Sequence, residues 1–96
     1  MIVWSRVVEV SGNHGALVVL KDNKYTIGNT VQVTELDERG SSSSGKNYYA
    51  SVREYQDPSG KPVYAAVFPM LSPGNYQWDG YKRITVFPGH VAECGP

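Results

Sequence analysis

Two histidines and one cysteine are the side chains best suited to metal chemistry, but their spacing does not assemble a site. His14, His90 and Cys94 are the soft or borderline ligands of the chain, with Glu9 and Glu93 as possible oxygen donors. His90 and Cys94 are four residues apart, which on a strand leaves both side chains on one side at a separation of about 13 Å. Two ligands of one metal ion cannot lie that far apart. We therefore expect no metal site, no cofactor, and turn positions for both histidines.

The residues that could support catalysis do not form a recognisable constellation. The chain has many serines but no G-x-S-x-G nucleophile elbow, and no base accompanies Cys94 in the sequence. Glu35, Asp37 and Glu38 cluster, but a paired-carboxylate mechanism needs two acids facing one cleft, and a solvated charge run is the simpler interpretation. The glycine–serine run at residues 40–45 lacks the following helix and the lysine–serine pair of a phosphate-binding loop. We expect a protein that is not an enzyme.

The aromatic residues after residue 47 are the remaining candidates for a functional surface. Tyrosine and tryptophan combine an apolar ring with a polar group, which suits stacking on sugars or anchoring a protein partner. Cross-strand packing and core filling is the alternative interpretation of the same rings. The candidate binding residues are Tyr48, Tyr49, Tyr55, Tyr76, Trp78 and Tyr81.

Two local patterns indicate how these rings are presented. Adjacent Tyr48 and Tyr49 must point to opposite faces of a strand, so one of them can lie on the outer face. Trp78 and Tyr81 flank the dipeptide at residues 79–80, Asp-Gly, which suits a two-residue hairpin and would place the two rings opposite each other. The tip of that hairpin is the expected recognition point.

The elements that must position these side chains are short strands separated by turn residues. Turn signals recur through residues 63–93 as Ser-Pro-Gly-Asn, Asp-Gly and Pro-Gly. We predict a flexible serine-rich loop at about residues 37–46. No apolar stripe with a 3.6-residue period is long enough for a helix of ten residues, and seven or eight short strands are typical of a sandwich or small barrel. The predicted strands are residues 3–10, 16–20, 25–36, 47–56, 62–69, 75–78, 81–87 and 90–94.

The last third of the chain resembles a known family. The pattern Phe68-x-x-Leu71-x-Pro73-Gly74-x-Tyr76, then Ile84-Thr85-Val86, then Gly89-x-Val91-x-Glu93, resembles the closing strands of prealbumin-like domains such as carboxypeptidase-regulatory-like and collagen-adhesin B-type repeats. The resemblance implies an all-β fold, a small antiparallel β-sandwich of prealbumin-like or Ig-like type, in which the tyrosine packs on the core after the Pro-Gly turn. Residues 15–19, GALVV, and 64–71, YAAVFPML, also resemble short uncharacterised actinobacterial-type proteins. Neither resemblance implies a catalytic residue.

Composition bounds the size of the protein and the partners it can take. The 96 residues suffice for one domain, and nine basic and nine acidic residues give a net charge of zero. Charge also balances by halves, with five of each sign in residues 1–50 and four of each in residues 51–96. We therefore expect no nucleic-acid partner and no membrane insertion. One cysteine excludes an intrachain disulfide, and with no leader sequence visible we expect a cytoplasmic protein.

Two functions of different classes remain. The first is a non-catalytic interaction or assembly module that binds a protein partner or itself, which zero net charge, exposed strand edges and paired tyrosines favour. The alternative is a carbohydrate-binding module that uses a surface platform of tyrosine and tryptophan. A small hydrolase is the third possibility, and it would require a deep pocket lined by Glu9, His14 or His90.

Overall fold

Turn residues divide the chain into seven strands in the computed structural model, which describes residues 2–41, 45–79 and 82–95. Two short 3-10 turns, Trp4–Arg6 and Lys24–Thr26, precede the first and second strands. Asp57 shows how a turn is fixed: its carboxylate accepts from the Ser59 hydroxyl at 2.6 Å and from the Lys61 N–H at 2.9 Å. The strands are β1 Gly15–Lys21, β2 Thr30–Glu35, β3 Asn47–Gln56, β4 Pro62–Leu71, β5 Gly74–Trp78, β6 Lys82–Val86 and β7 Val91–Cys94.

The described strands form one mixed sheet in the order β6-β5-β2-β3-β4-β1-β7. The all-β class is therefore confirmed. Two separate sheets of a sandwich are not confirmed, because the single sheet curves until β6 approaches β7 and the barrel is nearly closed. The expectation of a purely antiparallel sheet is wrong, since β7 pairs with β1 in parallel, with Ala16 opposite Val91 and Val19 opposite Cys94.

The curvature of the sheet arises in β3, which serves both halves of the fold. Its first part pairs with β2, from Asn47 to Ser51, and its second part pairs with β4, from Val52 to Gln56. We call β6, β5, β2 and the first part of β3 the β2 half, and the remaining strands the β1 half. The two halves enclose the main core, whose members are Leu17, Val19, Val31, Val33, Val52, Ala66, Phe68, Leu71, Tyr76, Trp78, Val86 and Cys94.

A second apolar cluster lies on the outer face of the β1 half. Trp4 is 6% exposed and packs with Val18 and Ala65 on that face, and its ring meets the Tyr55 ring edge-on at 5.3 Å between centroids. Residues 16–19 of β1 are accordingly buried on both sides, as their continuous apolar run predicts. The Trp4 indole thus acts as a cover for this face of the sheet.

The strand predicted at residues 3–10 is wrong, because this segment makes a 3-10 turn instead. The backbone N–H of Val8 donates to the Trp4 carbonyl at 2.8 Å, which places two buried side chains one turn apart. β-branched residues suggested a strand, but tertiary burial of Trp4 overrides that weak local preference. The strand predicted at residues 25–36 is shortened at its start to Thr30, and the Asn23 side chain caps the preceding turn by accepting from the Tyr25 N–H at 3.0 Å.

The serine-rich loop is described on both sides of residues 42–44, which lie outside the described residues. Asp37 organises its first part, since its carboxylate accepts from the N–H groups of Arg39 at 2.9 Å and Ser41 at 2.8 Å. The Arg83 guanidinium donates to the Gly40 carbonyl at 3.2 Å, so this part of the loop contacts β6.

A β-bulge interrupts the pairing of β1 with β4. Gly15 lies opposite Leu71 and Leu17 lies opposite Phe68, so two residues of β4, Pro69 and Met70, face one residue of β1. Met70 has a φ of 57° and is 70% exposed. The bulge lies beside the N-terminal segment, because Met70 lines depressions together with Glu9 and Ser11.

Candidate functional site

Tyr76 and Trp78 lie in the main core, which corrects the binding role expected of them. Tyr76 is 0% exposed, and its hydroxyl donates to the Ser72 carbonyl at 2.6 Å. Trp78 is 7% exposed and pairs with Val33 across the strands. Both face inward because they alternate with Asn75 and Gln77 along β5. The expectation that Tyr76 packs on the core after the Pro-Gly turn is confirmed.

Two further candidate tyrosines are half-buried and make ring contacts. Tyr48 packs against the main core and meets the Tyr76 ring at 6.1 Å between centroids. Tyr55 packs on the outer face of the β1 half beneath Trp4. These contacts stabilise the fold. They correspond to the cross-strand and core packing that was the alternative to a binding role for these rings.

Tyr49 is the candidate that the structure leaves on the surface, with 62% of its side chain exposed. It lies opposite Gln32 and points away from Tyr48, as predicted for adjacent strand residues. Trp78 lies opposite Lys82, so the predicted two-residue hairpin with Trp78 facing Tyr81 is wrong. Gly80 and Tyr81 themselves lie outside the described residues.

The strands β6 and β7 are the two ends of the described sheet, and they lie close to each other. Each of these strands has one partner within the described sheet, β5 for β6 and β1 for β7. They follow each other directly in the chain, and such neighbours ordinarily pair as a hairpin. We call the space between them the seam. An edge strand presents unpaired N–H and C=O groups, and here two such edges adjoin.

An open groove of about 610 Å³ follows the seam. Ile84 and Ala92 form its floor, where they pack against the main core from β6 and β7. Phe87 stands at one end and is 59% exposed. The groove thus combines an apolar floor with free strand edges.

Hydrogen bonds to β1 hold one end of the seam in place. The Ala16 N–H donates to the His90 carbonyl at 3.1 Å, and the Gly89 N–H donates to the His14 carbonyl at 2.9 Å. Gly15 lies so close that a β-carbon there would meet the Val86 side chain and the Phe87 carbonyl oxygen. The connection between β6 and β7 is therefore anchored on the start of β1.

A smaller depression of about 190 Å³ brings together Glu9, Ser11 and His14, the residue types of a hydrolytic triad. A nucleophile and its base must lie within hydrogen-bonding reach. Among the described residues, no hydrogen bond joins the His14 ring to either neighbour, and the Ser11 hydroxyl accepts from the Asn13 N–H at 3.3 Å. The geometry does not assemble an activated serine.

Cys94 and the acidic residues offer little reactive chemistry. Burial raises the pKa of the Cys94 thiol to about 11, and its sulfur donates to the Val18 carbonyl at 3.5 Å. No three His, Cys, Asp or Glu side chains of the described ranges come together as a metal site. No helix in the same part of the chain is long and apolar enough to cross a membrane.

Comparisons with protein-family models, with curated proteins and with solved structures returned no match for this chain.

Sequence reasoning predicted both strands beside the seam, at residues 81–87 and 90–94, but it did not predict which strands they pair with. The only local signal was Phe87 directly before a Pro-Gly turn, a large apolar residue where turn residues are usually polar. Nothing in residues 90–94 indicates a parallel partner, since parallel and antiparallel strands share the same short apolar pattern.

Proposed function

We propose that this protein is a non-catalytic interaction module that binds an extended segment of a protein partner, or of a second copy, by strand addition at the seam. The observation that carries the proposal is the adjoining pair of free edges on β6 and β7. Backbone groups on such edges hydrogen-bond an added strand, and side-chain pockets along the edge then select its sequence.

The floor and rim of the groove define the segment that fits. Side chains of an added strand alternate between the two faces of the sheet, so every second residue would face Ile84 and Ala92. Those positions favour small or β-branched apolar residues, and Phe87 offers an exposed ring for one further apolar contact. The partner is therefore an extended segment with alternating apolar and polar residues.

Selection from a library of random nine-residue peptides displayed on phage tests the proposal. Wild-type protein should enrich peptides with alternating apolar residues, and Phe87→Ser should lose them, because its apolar contact is removed. Met70→Ser, which alters an equally exposed apolar residue on the β4 bulge, is the matched control and should keep them. Circular dichroism confirms that each variant remains folded.

Hydrogen exchange locates the contact. Amides of β6 and β7 should become protected when an enriched peptide is added, whereas amides of β3 should not change. Light scattering across a wide concentration range tests the second-copy version, and a strict monomer would exclude that version. A strict monomer together with no enriched peptide would contradict the proposal as a whole.

Carbohydrate recognition through a tyrosine–tryptophan platform loses two of its anchors, because Tyr76 and Trp78 are buried. Tyr49 is the candidate ring that stays available on the surface.

A further inference from the structure

The outer face of the β2 half carries rows of uncharged polar side chains. Strand register places Thr30 opposite Ser51, Gln32 opposite Tyr49, and Thr34 opposite Asn47, all pointing away from the core. The next strand continues the row, with Gln77 opposite Thr34. Solvated surfaces of small proteins usually intersperse both signs of charge, so uncharged rows on three neighbouring strands call for an explanation.

Hydrogen bonds within this face hold its amide groups in fixed positions. The Asn47 side-chain carbonyl accepts from Gln32 at 3.1 Å and from the Thr34 hydroxyl at 2.8 Å. These bonds use the Asn47 carbonyl as acceptor, while the Gln32 carbonyl is a further acceptor and the Asn47 amino group a further donor of the two amides. The face therefore presents both donors and acceptors in a preorganised arrangement, which lowers the entropic cost of binding.

A depression of about 340 Å³ adjoins these rows. Thr30, Gln32 and Gln77 line it, and so do Val31 and Trp78, which belong to the main core. Its charged lining residues are Lys21 and Asp79, and the Asp79 carboxylate forms an ion pair with Lys82 at 3.5 Å. A few placed polar groups around an apolar patch are typical of a small-ligand site.

We infer that this face binds a neutral oligosaccharide, with the Tyr49 ring as the stacking surface and the Gln32 and Asn47 amides as partners of sugar hydroxyls. The 62% exposure of Tyr49 leaves its ring free to stack on the apolar side of a sugar. Arg83 is the charged residue on the outward row of the edge strand β6, where its guanidinium donates to the Gly40 carbonyl. The uncharged rows of β2, β3 and β5 thus match a neutral ligand.

Isothermal titration with cellohexaose, xylohexaose, laminarihexaose and maltohexaose tests the inference, with a heparin hexasaccharide as the charged comparison. We expect one neutral probe to bind and the charged probe not to bind. Tyr49→Ala should weaken binding by about tenfold or more, because the stacking ring is lost, whereas Tyr49→Phe should restore it.

Phe87→Ser is the matched control, since it removes a similarly exposed ring at the seam and should leave sugar affinity unchanged. Because Tyr49→Ala should in turn leave peptide selection at the seam unchanged, failure of one proposal is distinguishable from failure of the other. Absence of binding by every neutral probe at millimolar concentration, or unchanged affinity in Tyr49→Ala, would overturn the inference.

Discussion

The hydroxyl of Tyr76 links the turn before β5 to the core. It donates to the Ser72 carbonyl four residues earlier, and it lies 3.4 Å from the Glu35 carboxylate. A tyrosine hydroxyl bonded to backbone a few residues upstream recurs in Greek-key β proteins. Burial, and secondly the Glu35 charge, raise the pKa of Tyr76 above its ordinary value, so the neutral donor form is retained.

Tyr76→Phe should lower the free energy of unfolding by about 1–2 kcal/mol, because the Ser72 carbonyl loses its donor while the ring remains packed. Urea unfolding monitored by tryptophan fluorescence measures the change. Tyr49→Phe removes an exposed hydroxyl and is the control, with no expected effect. Equal stability of Tyr76→Phe and wild type would show that the hydroxyl bond contributes nothing.

The Cys94 thiol makes stability depend on pH in the alkaline range. Its pKa is raised to about 11 in the folded state, so the unfolded thiol loses its proton first. Its contribution is therefore fully present below about pH 8.5, the usual thiol pKa, and is lost as pH rises toward the folded value. Cys94→Ala should flatten the fall in the free energy of unfolding between pH 8.5 and 10. An identical slope in wild type and Cys94→Ala would contradict this account.

Among the elements, the β4 bulge holds a residue in a conformation that side chains disfavour. Met70 adopts a φ of 57° with 70% of its side chain in solvent, so packing does not compensate for the strain. Met70→Gly should raise the free energy of unfolding by about 0.5–1 kcal/mol, because glycine tolerates this region without a steric penalty. Thermal unfolding measures it, and Met70→Ala, which keeps the β-carbon, should bring no gain.

The positions of the strands could be predicted from sequence more accurately than the pairing between strands. The alternation in β3 correctly separates Tyr48 from Tyr49, and the turn at Asp57 is marked by its own residues. Trp4 shows where prediction from local sequence fails. Its β-branched neighbours indicate a strand, but the segment forms a turn because Trp4 packs on Val18 and Ala65, which are distant in sequence. The pairing of β7 with β1 also joins residues that are distant in sequence. Because this pairing separates β7 from β6, the seam could not be predicted either.

At the scale of the whole molecule, the sheet curves until its two end strands, β6 and β7, lie near each other, and the barrel is nearly closed. The approach of β6 to β1 depends on Gly15, where a β-carbon would meet the Val86 side chain and the Phe87 carbonyl oxygen. Part of this obstacle is backbone, which cannot rotate away as a flexible side chain would.

Gly15→Ala should therefore lower the free energy of unfolding by about 1–3 kcal/mol and force the β6–β7 connection away from β1. Gly12→Ala is the matched control, because a β-carbon at Gly12 meets nothing within 4 Å. Urea unfolding of both variants, with hydrogen exchange across residues 86–91, measures the two effects. Equal stability of the two variants would show that the sheet closes without this contact.

The position of β1 between β4 and β7 also has a consequence for biosynthesis. Neither partner begins before residue 62, so the uncharged run at residues 15–20 emerges from the ribosome long before either partner is made. At about 5–20 residues per second this leaves the segment unpaired for several seconds. A short apolar run without charge or proline is the kind of segment that aggregates when exposed. A strand that lies inside the finished β1 half is thus a vulnerable segment of the nascent chain.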